Sequence, residues 1–166
     1  MTDTGLLMGR LVLGLLMAGH GAQKLFGWFG GYGLSGTGGF FESLGFHPGR
    51  WFAAAAGTVE CASGVLIAAG LLGPAGPALL VSVMMVAAVS VRWPHGVFAA
   101  TNGVELPLLY ASGGAALAFT GPGRYSLDAL LGLLPLWTPE RSWIALAGAI
   151  VGGALNLAAR RPPIVA

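Results

Sequence analysis

Five long stretches of apolar residues constrain this chain more than any other feature of its sequence. A helix needs about 20 mainly apolar residues to cross the roughly 30 Å of hydrocarbon in a bilayer. The candidate stretches are residues 5–26, 51–72, 74–91, 104–119 and 143–159, of which the last two are short for a full crossing. The pattern predicts helices that pass through a membrane one after another.

The composition supports the same interpretation. Hydrophobic residues make up 55% of the chain and charged residues only 8%, whereas an ordinary soluble domain has about 25% charged residues. A soluble domain of this size has too much surface to bury so many apolar side chains. The sequence therefore predicts an all-α integral membrane protein whose main partner is the lipid bilayer. The only adjacent basic pair is Arg160-Arg161, so nothing indicates nucleic-acid binding.

Two regions follow from the spacing of the stretches. Residues 1–128 are expected to form a four-helix transmembrane bundle, and residues 129–166 to add a re-entrant or interfacial segment and a fifth, C-terminal span. The start of the chain, MTDTG, lacks the basic region of a signal peptide, so the first stretch is expected to remain as a span.

Glycine contributes two further expectations. The connection at residues 27–50 is rich in glycine and aromatic residues and is expected to be an interfacial loop. Gly5 and Gly9, and likewise Gly148 and Gly152, have GxxxG spacing, which permits close helix packing in membranes. Together they predict a compact bundle.

Polar residues accumulate toward one face of the predicted bundle, which we call side B. The first helix ends there, the second starts there, and the third and fourth meet there. The polar side chains in that half are His20, Gln23, Lys24, Glu60, His95, Asn102 and Glu105. Ionisable residues within spans are costly and commonly functional. Three interpretations stay open: a structural ion pair of Lys24 with a glutamate, a polar cavity for a small molecule or a quinone head group, or an ion or proton path.

The opposite face, side A, offers a smaller pairing. Arg10 lies near the start of the first stretch and Asp128 follows the fourth, so a buried or interfacial structural ion pair is predicted. His20 and His95 in principle suit haem, but there is no CxxCH motif, and no spacing indicates zinc. No metal site is predicted. Cys61 is the single cysteine, which excludes an internal disulfide and is typical of a small buried apolar residue.

An ordered set of short motifs resembles the DoxX family of small bacterial membrane proteins. The set covers roughly residues 5–128: Arg10, HGAQKLFG at 20–27, VECASGVLIAAGLL at 59–72, Met84-Met85, His95, NGVELPLLY at 102–110 and GPGRYSLD at 121–128. The resemblance implies a bundle of four spanning helices, from which the fifth stretch departs. It also implies a multi-pass protein of the bacterial inner (plasma) membrane.

The resemblance implies a redox-linked function. Related proteins are associated with thiosulfate:quinone oxidoreductase, or with a membrane complex that links superoxide dismutase and a sulfurtransferase. By position, Lys24 and Glu60 are the candidates within the membrane, with His95 and Glu105 at the side-B mouth. We therefore expect a membrane subunit of a quinone- or sulfur-linked oxidoreductase system that binds a small molecule, with quinone as the candidate cofactor.

Several alternatives stay open at this point. A non-catalytic scaffold that recruits redox-defence enzymes is the main one, and a small-solute or proton transporter is another. The sequence assigns no catalytic residue and leaves a homo-oligomer open. The distribution of Lys and Arg favours a cytoplasmic C-terminus, whereas the family's cytoplasmic N-terminus would place Arg160-Arg161 outside.

Overall fold

The computed structural model describes residues 1–161 and is all-helical over that range. Seven α-helices follow one another: α1 Thr2–Phe26, α2 Gly33–Ser43, α3 Gly49–Ala69, α4 Ala75–Ala87, α5 Glu105–Thr120, α6 Leu127–Leu130 and α7 Pro139–Ala158. The prediction of an all-α membrane protein is confirmed.

Four of these helical segments are long and apolar enough to cross a membrane. They are Thr2–Phe26, Gly49–Ala69, Ala75–His95 and Pro139–Ala158. The helix α5 has 16 residues, a length of about 24 Å at 1.5 Å per residue, which is short of a full crossing as the sequence indicated. The predicted C-terminal span is present as α7.

The region expected to be an interfacial loop is instead partly helical, which corrects the prediction for residues 27–50. A single turn of 3₁₀-helix, Trp28–Gly30, is followed by α2, and α2 packs on α3. Phe40, Phe41 and Phe46 form a chain of ring contacts with centroids 5.6–6.4 Å apart. This aromatic packing explains why a glycine-rich segment adopts a fixed helix.

Close packing of α1 against α3 organises the bundle. A Cβ atom added at Gly14 would lie 2.6 Å from the carbonyl oxygen of Gly64, and one added at Gly21 would lie 2.6 Å from the amide nitrogen of Cys61. The two backbones therefore meet where only small residues fit. Met17 of α1, Ile67 of α3, and Leu80 and Met84 of α4 form the buried core beside this contact.

The glycines that pack the helices are not the ones that the spacing predicted. Added Cβ atoms at Gly5, Gly9 and Gly148 would meet nothing within 4 Å, and one at Gly152 would only approach the Ser82 hydroxyl at 3.9 Å. Their GxxxG spacing places them on faces that no neighbouring helix covers closely. The expectation for those pairs is wrong, although a compact bundle does form through other glycines.

The helix α4 changes its winding toward side B. Ala88–Arg92 forms one turn of π-helix and Trp93–His95 a turn of 3₁₀-helix. The Ser90 hydroxyl donates a 2.6 Å hydrogen bond to the Val86 carbonyl within the distorted region. Such π-turns widen a helix locally and occur frequently at functional sites.

Candidate functional site

The membrane-embedded charges on side B form one direct ion pair. Lys24, in the last turn of α1, donates from Nζ to Oε2 of Glu60 at 2.6 Å. Glu60 lies in the middle of α3 and is 3% exposed, whereas the Lys24 side chain is 25% exposed. A buried carboxylate needs such a partner, because an unpaired charge in an apolar interior is costly.

A cavity of about 430 Å³ opens beside this pair. Its wall is mainly apolar and includes the rings of Phe40, Phe41 and Phe52. The polar groups of its wall come from α1, α3, α4 and α7: Lys24, Glu60, Ser82, Ser90, Arg92 and Asn156. We call this space the inner cavity. An apolar concavity with a few convergent polar groups is the usual form of a small-molecule site.

A second cavity, of about 580 Å³, also has Lys24 in its wall. We call it the outer cavity. Gln23 and the residues around the start of α2, including Tyr32 and Thr37, line it, and it shares Lys24, Phe40 and Phe41 with the inner cavity. Lys24 therefore belongs to the walls of both spaces.

His20 and Gln23 stay close to the pair but serve the end of α1. The Nδ1 atom of His20 lies 3.1 Å from the side-chain oxygen of Gln23, and the Gln23 amide donates to the Phe29 carbonyl at 3.2 Å. The His20 ring packs edge-on against Tyr110 of α5, with centroids 6.0 Å apart. These contacts hold the chain where it leaves α1.

The remaining predicted residues form a separate group in the connection between α4 and α5. Nη1 of Arg92 donates to the backbone and side-chain oxygens of Asn102, each at 3.2 Å. The Ala99 amide donates to the carboxylate of Glu105 at 2.6 Å, and Nδ1 of His95 lies 3.1 Å from the Val91 carbonyl. The hydrogen bonds of His95, Asn102 and Glu105 therefore go to backbone atoms of this connection and its flanks, and to Arg92.

The seven side-B residues are therefore divided between two groups. Lys24 and Glu60 line the inner cavity, and Gln23 lines the outer one, while His20, His95, Asn102 and Glu105 are not part of the inner-cavity wall. Arg92 connects the groups, since it lines the cavity and holds the loop. Within residues 1–161, no three His, Cys, Asp or Glu residues are grouped to hold a metal ion.

Sequence reasoning missed much of the cavity wall. Phe40, Phe41 and Phe52 belong to a region that was expected to be a loop and its flank, and Asn156 belongs to the additional span. A signal for Asn156 is present in the sequence, because it is the one polar side chain among residues 143–158 of α7. Polar residues in a span usually face the protein interior.

On side A, Arg10 and Asp128 are both buried, at 2% and 0% exposure. The predicted direct ion pair between them is not formed, and each side chain has backbone partners instead, while Nε of Arg10 has no partner among residues 1–161. The guanidinium of Arg10 donates to the carbonyls of Pro122 and Tyr125. Asp128 accepts the amides of Leu72 and Gly73 at 3.0 and 2.7 Å.

Those contacts give side A a structural role. The Arg10 side chain fixes the segment after α5 to α1, and Asp128 fixes the tight turn between α3 and α4. Leu72 has a positive φ of 60°, which is strained for a residue other than glycine. The hydrogen bonds from Leu72 and Gly73 to Asp128 stabilise this turn.

Comparison with known proteins gives one match. A family model described as DoxX matches residues 5–93, more than half of the chain, and the chain belongs to that family. The match includes Lys24, Glu60 and Arg92, whereas α5 and α7 lie beyond it and the motif resemblance had extended to residue 128. No curated protein and no solved structure matches the chain.

Proposed function

We propose that this multi-pass membrane protein of the DoxX family binds a lipophilic quinone in its inner cavity and acts as a membrane subunit of an oxidoreductase system. One observation carries the proposal: a lysine–glutamate pair within the spanning helices opens onto an aromatic-walled cavity of about 430 Å³. That volume lies within the range of small-molecule sites. The family's association with redox systems supports the same function.

The chemistry of the wall fits a quinone ring. A lysine ammonium has three donors, and the pair with Glu60 uses one of them at 2.6 Å. The others are free to donate to a ring carbonyl. The rings of Phe40, Phe41 and Phe52 offer faces and edges against which a planar ring packs favourably. A quinone supplies two-electron chemistry when bound, and the residues here position it and exchange protons.

The proton-handling groups are Glu60 and Lys24. Glu60 is buried, and Lys24 connects it to the outer cavity on side B. A ring bound beside Glu60 is therefore sealed within apolar helices but has a polar connection through Lys24. In this proposal the bacterial plasma membrane holds the protein, and soluble redox enzymes such as a sulfurtransferase or a superoxide dismutase are its partners.

Binding of duroquinone tests the proposal. The purified protein in lipid nanodiscs is titrated with duroquinone by equilibrium dialysis, with empty nanodiscs of the same lipid as the blank. We expect saturable binding that Lys24→Met weakens at least about 10-fold, the effect of one lost charge-assisted hydrogen bond. Glu60→Gln retains the size of the side chain and is expected to weaken binding less.

The matched control is Arg124→Met, which removes an exposed cation on side A and is expected to leave affinity unchanged. Thermal unfolding of each variant in detergent shows that the bundle is intact. Unsaturable uptake by the wild type, equal to that of empty nanodiscs, would contradict quinone binding. Redox enzymes that co-purify with such a non-binding protein would favour the scaffold.

A further inference from the structure

The helix α7 completes the wall of the inner cavity, although it lies outside the residues that define the family. It packs on α4 and contributes Gly152 and Asn156 to the cavity. Its side-B end is attached to the turn between α2 and α3, where Nε of Arg160 donates to the Leu44 carbonyl at 2.9 Å and the Arg161 amide donates to the Gly45 carbonyl at 2.8 Å. This wall is therefore fixed in position.

Asn156 is an uncommon residue for its position. It is half-buried in a span whose neighbouring residues, Leu155 and Leu157, are aliphatic. None of the hydrogen bonds found among residues 1–161 involves its side-chain amide, and those that join this end of α7 to the turn after α2 come from Arg160 and Arg161. An amide in an apolar environment costs free energy unless it has a partner.

The placement of Asn156 is complementary to that of the ion pair. Lys24 and Glu60 come from the paired helices α1 and α3, whereas Asn156 comes from α7, and α4 lies between α3 and α7 in the order of packing. The cavity wall thus carries the charged pair on α1 and α3 and the amide on α7, with Ser82, Ser90 and Arg92 on the segment between them and phenylalanine rings contributing to the wall. Such a wall suits a ring that carries one polar group at each of two ends.

We propose that Asn156 is a specificity-determining residue, which hydrogen-bonds the end of the ligand that faces away from Lys24. This inference rests on the proposed quinone-type ligand and adds a second contact to it. An asparagine amide both donates and accepts, so it pairs with a ring carbonyl and with a ring hydroxyl alike. Asn156 therefore selects rings with two oxygen substituents over rings with one, in both the oxidised and reduced forms.

A matched pair of ligands tests this selection. Durohydroquinone carries two hydroxyls, and the corresponding tetramethylphenol lacks one of them but keeps the same methyl groups. Both are titrated by anaerobic equilibrium dialysis into nanodiscs that hold the full chain. The wild type is expected to prefer durohydroquinone. Asn156→Leu, a substitution of similar size, is expected to weaken durohydroquinone binding about 10-fold and to change tetramethylphenol binding by less than about twofold.

Two further variants complete the experiment. Leu155→Ala alters the adjacent, 68% exposed side chain and is expected to leave both affinities unchanged. Asn156→Ser keeps a hydroxyl donor and acceptor and is expected to recover part of the preference. If Asn156→Leu does not fold, the preference of Asn156→Ser for durohydroquinone over tetramethylphenol is measured instead.

Three results would overturn the inference, and they differ from failure of the proposed function. Equal weakening of both ligands in Asn156→Leu would mean that the side chain only shapes the cavity. Unchanged binding of both would mean that the amide does not contact the ligand. An Asn156→Ser variant with no more preference than Asn156→Leu would exclude the hydrogen bond. If the wild type binds neither ligand saturably, the quinone site itself is wrong.

Discussion

The two halves of the molecule contain buried charges that are used in opposite ways. On side A, Arg10 donates hydrogen bonds to backbone carbonyls of the segment after α5. Asp128 accepts hydrogen bonds from backbone amides of the turn between α3 and α4. Arg10 borders a void of about 10 Å³, enough for about one water molecule. It also borders an open groove of about 660 Å³, which it shares with Arg124. On side B, Lys24 and Glu60 pair with each other beside an inner cavity of about 430 Å³.

The difference shows how to separate a structural charge from a candidate functional one. Burial does not distinguish them, since Arg10, Asp128 and Glu60 are all at most 3% exposed. The partners do. The hydrogen bonds that Arg10 and Asp128 form all go to backbone carbonyls and amides and hold the chain in place, although Nε of Arg10 has no partner in the described part of the chain. Lys24 instead pairs with a side-chain carboxylate and has two further donors at a cavity wall, where it can bind a ligand.

The largest effect on stability is expected for Arg10→Met. This change leaves the carbonyls of Pro122 and Tyr125 without their donor and removes the cation that lies near the buried Asp128 carboxylate. The loss of a buried hydrogen-bonded charge costs about 3 kcal/mol or more, which lowers the melting temperature by about 6–12 °C. Thermal unfolding in detergent measures it.

Arg124→Met is the matched control for that prediction, because Arg124 is an exposed arginine of the same segment. It is expected to change the melting temperature by less than about 2 °C, as a surface substitution does. Similar melting temperatures for the Arg10 and Arg124 variants would refute the structural role of the side-A hydrogen bonds.

A smaller stability effect, with a large effect on binding, is expected when both members of the side-B pair are replaced. Glu60→Met alone leaves Lys24 without its partner and should destabilise the bundle by about 2 kcal/mol, the usual cost of a lost hydrogen bond between charged groups. The double variant Lys24→Met/Glu60→Met should recover most of that loss, because replacing a buried pair by apolar residues is often neutral. Quinone binding should be lost in the double variant, which lacks the Lys24 ammonium.

A double-mutant cycle of thermal unfolding measures this prediction, with duroquinone titration beside it. If the stability lost in the double variant equals the sum of the losses in the two single variants, Lys24 and Glu60 are structural like the side-A residues. The contrast between the two halves would then disappear. A stable double variant that no longer binds duroquinone would instead support the contrast between the two halves.

The fold was largely predictable, because spans depend on runs of apolar residues that are visible in the sequence. The predicted third and fourth stretches begin and end within a few residues of the observed helices, except where α4 continues through its π-turn to His95. The helix α2 was not predicted, because its glycines and aromatic residues are typical of loops. Its helical form depends on packing against α3, which composition does not show.

The site was predictable only in part, for a geometric reason. Helix direction shows which residues share a half of the membrane, so Lys24 and Glu60 were placed together. Helix direction does not show toward which neighbour a side chain points or what it contacts. Glu105 and Asn102 were therefore grouped with Lys24 and Glu60, although their hydrogen bonds lie within their own loop. The same limit applies to Arg10 and Asp128, which share a region without bonding to each other.

The smallest effect is expected for Glu105→Gln, which tests whether the side-B loop is separate from the cavity. The carboxylate of Glu105 accepts the Ala99 amide at 2.6 Å inside the loop, and a glutamine oxygen can accept the same hydrogen bond. Duroquinone affinity should change by less than about twofold and stability by less than about 1 kcal/mol. Glu60→Gln, the same chemical change in the cavity wall, serves as the comparison in the same titration. Should Glu105→Gln weaken binding as much as Glu60→Gln, the loop and the inner cavity form a single site, and the separation seen in the hydrogen bonds does not hold for the ligand.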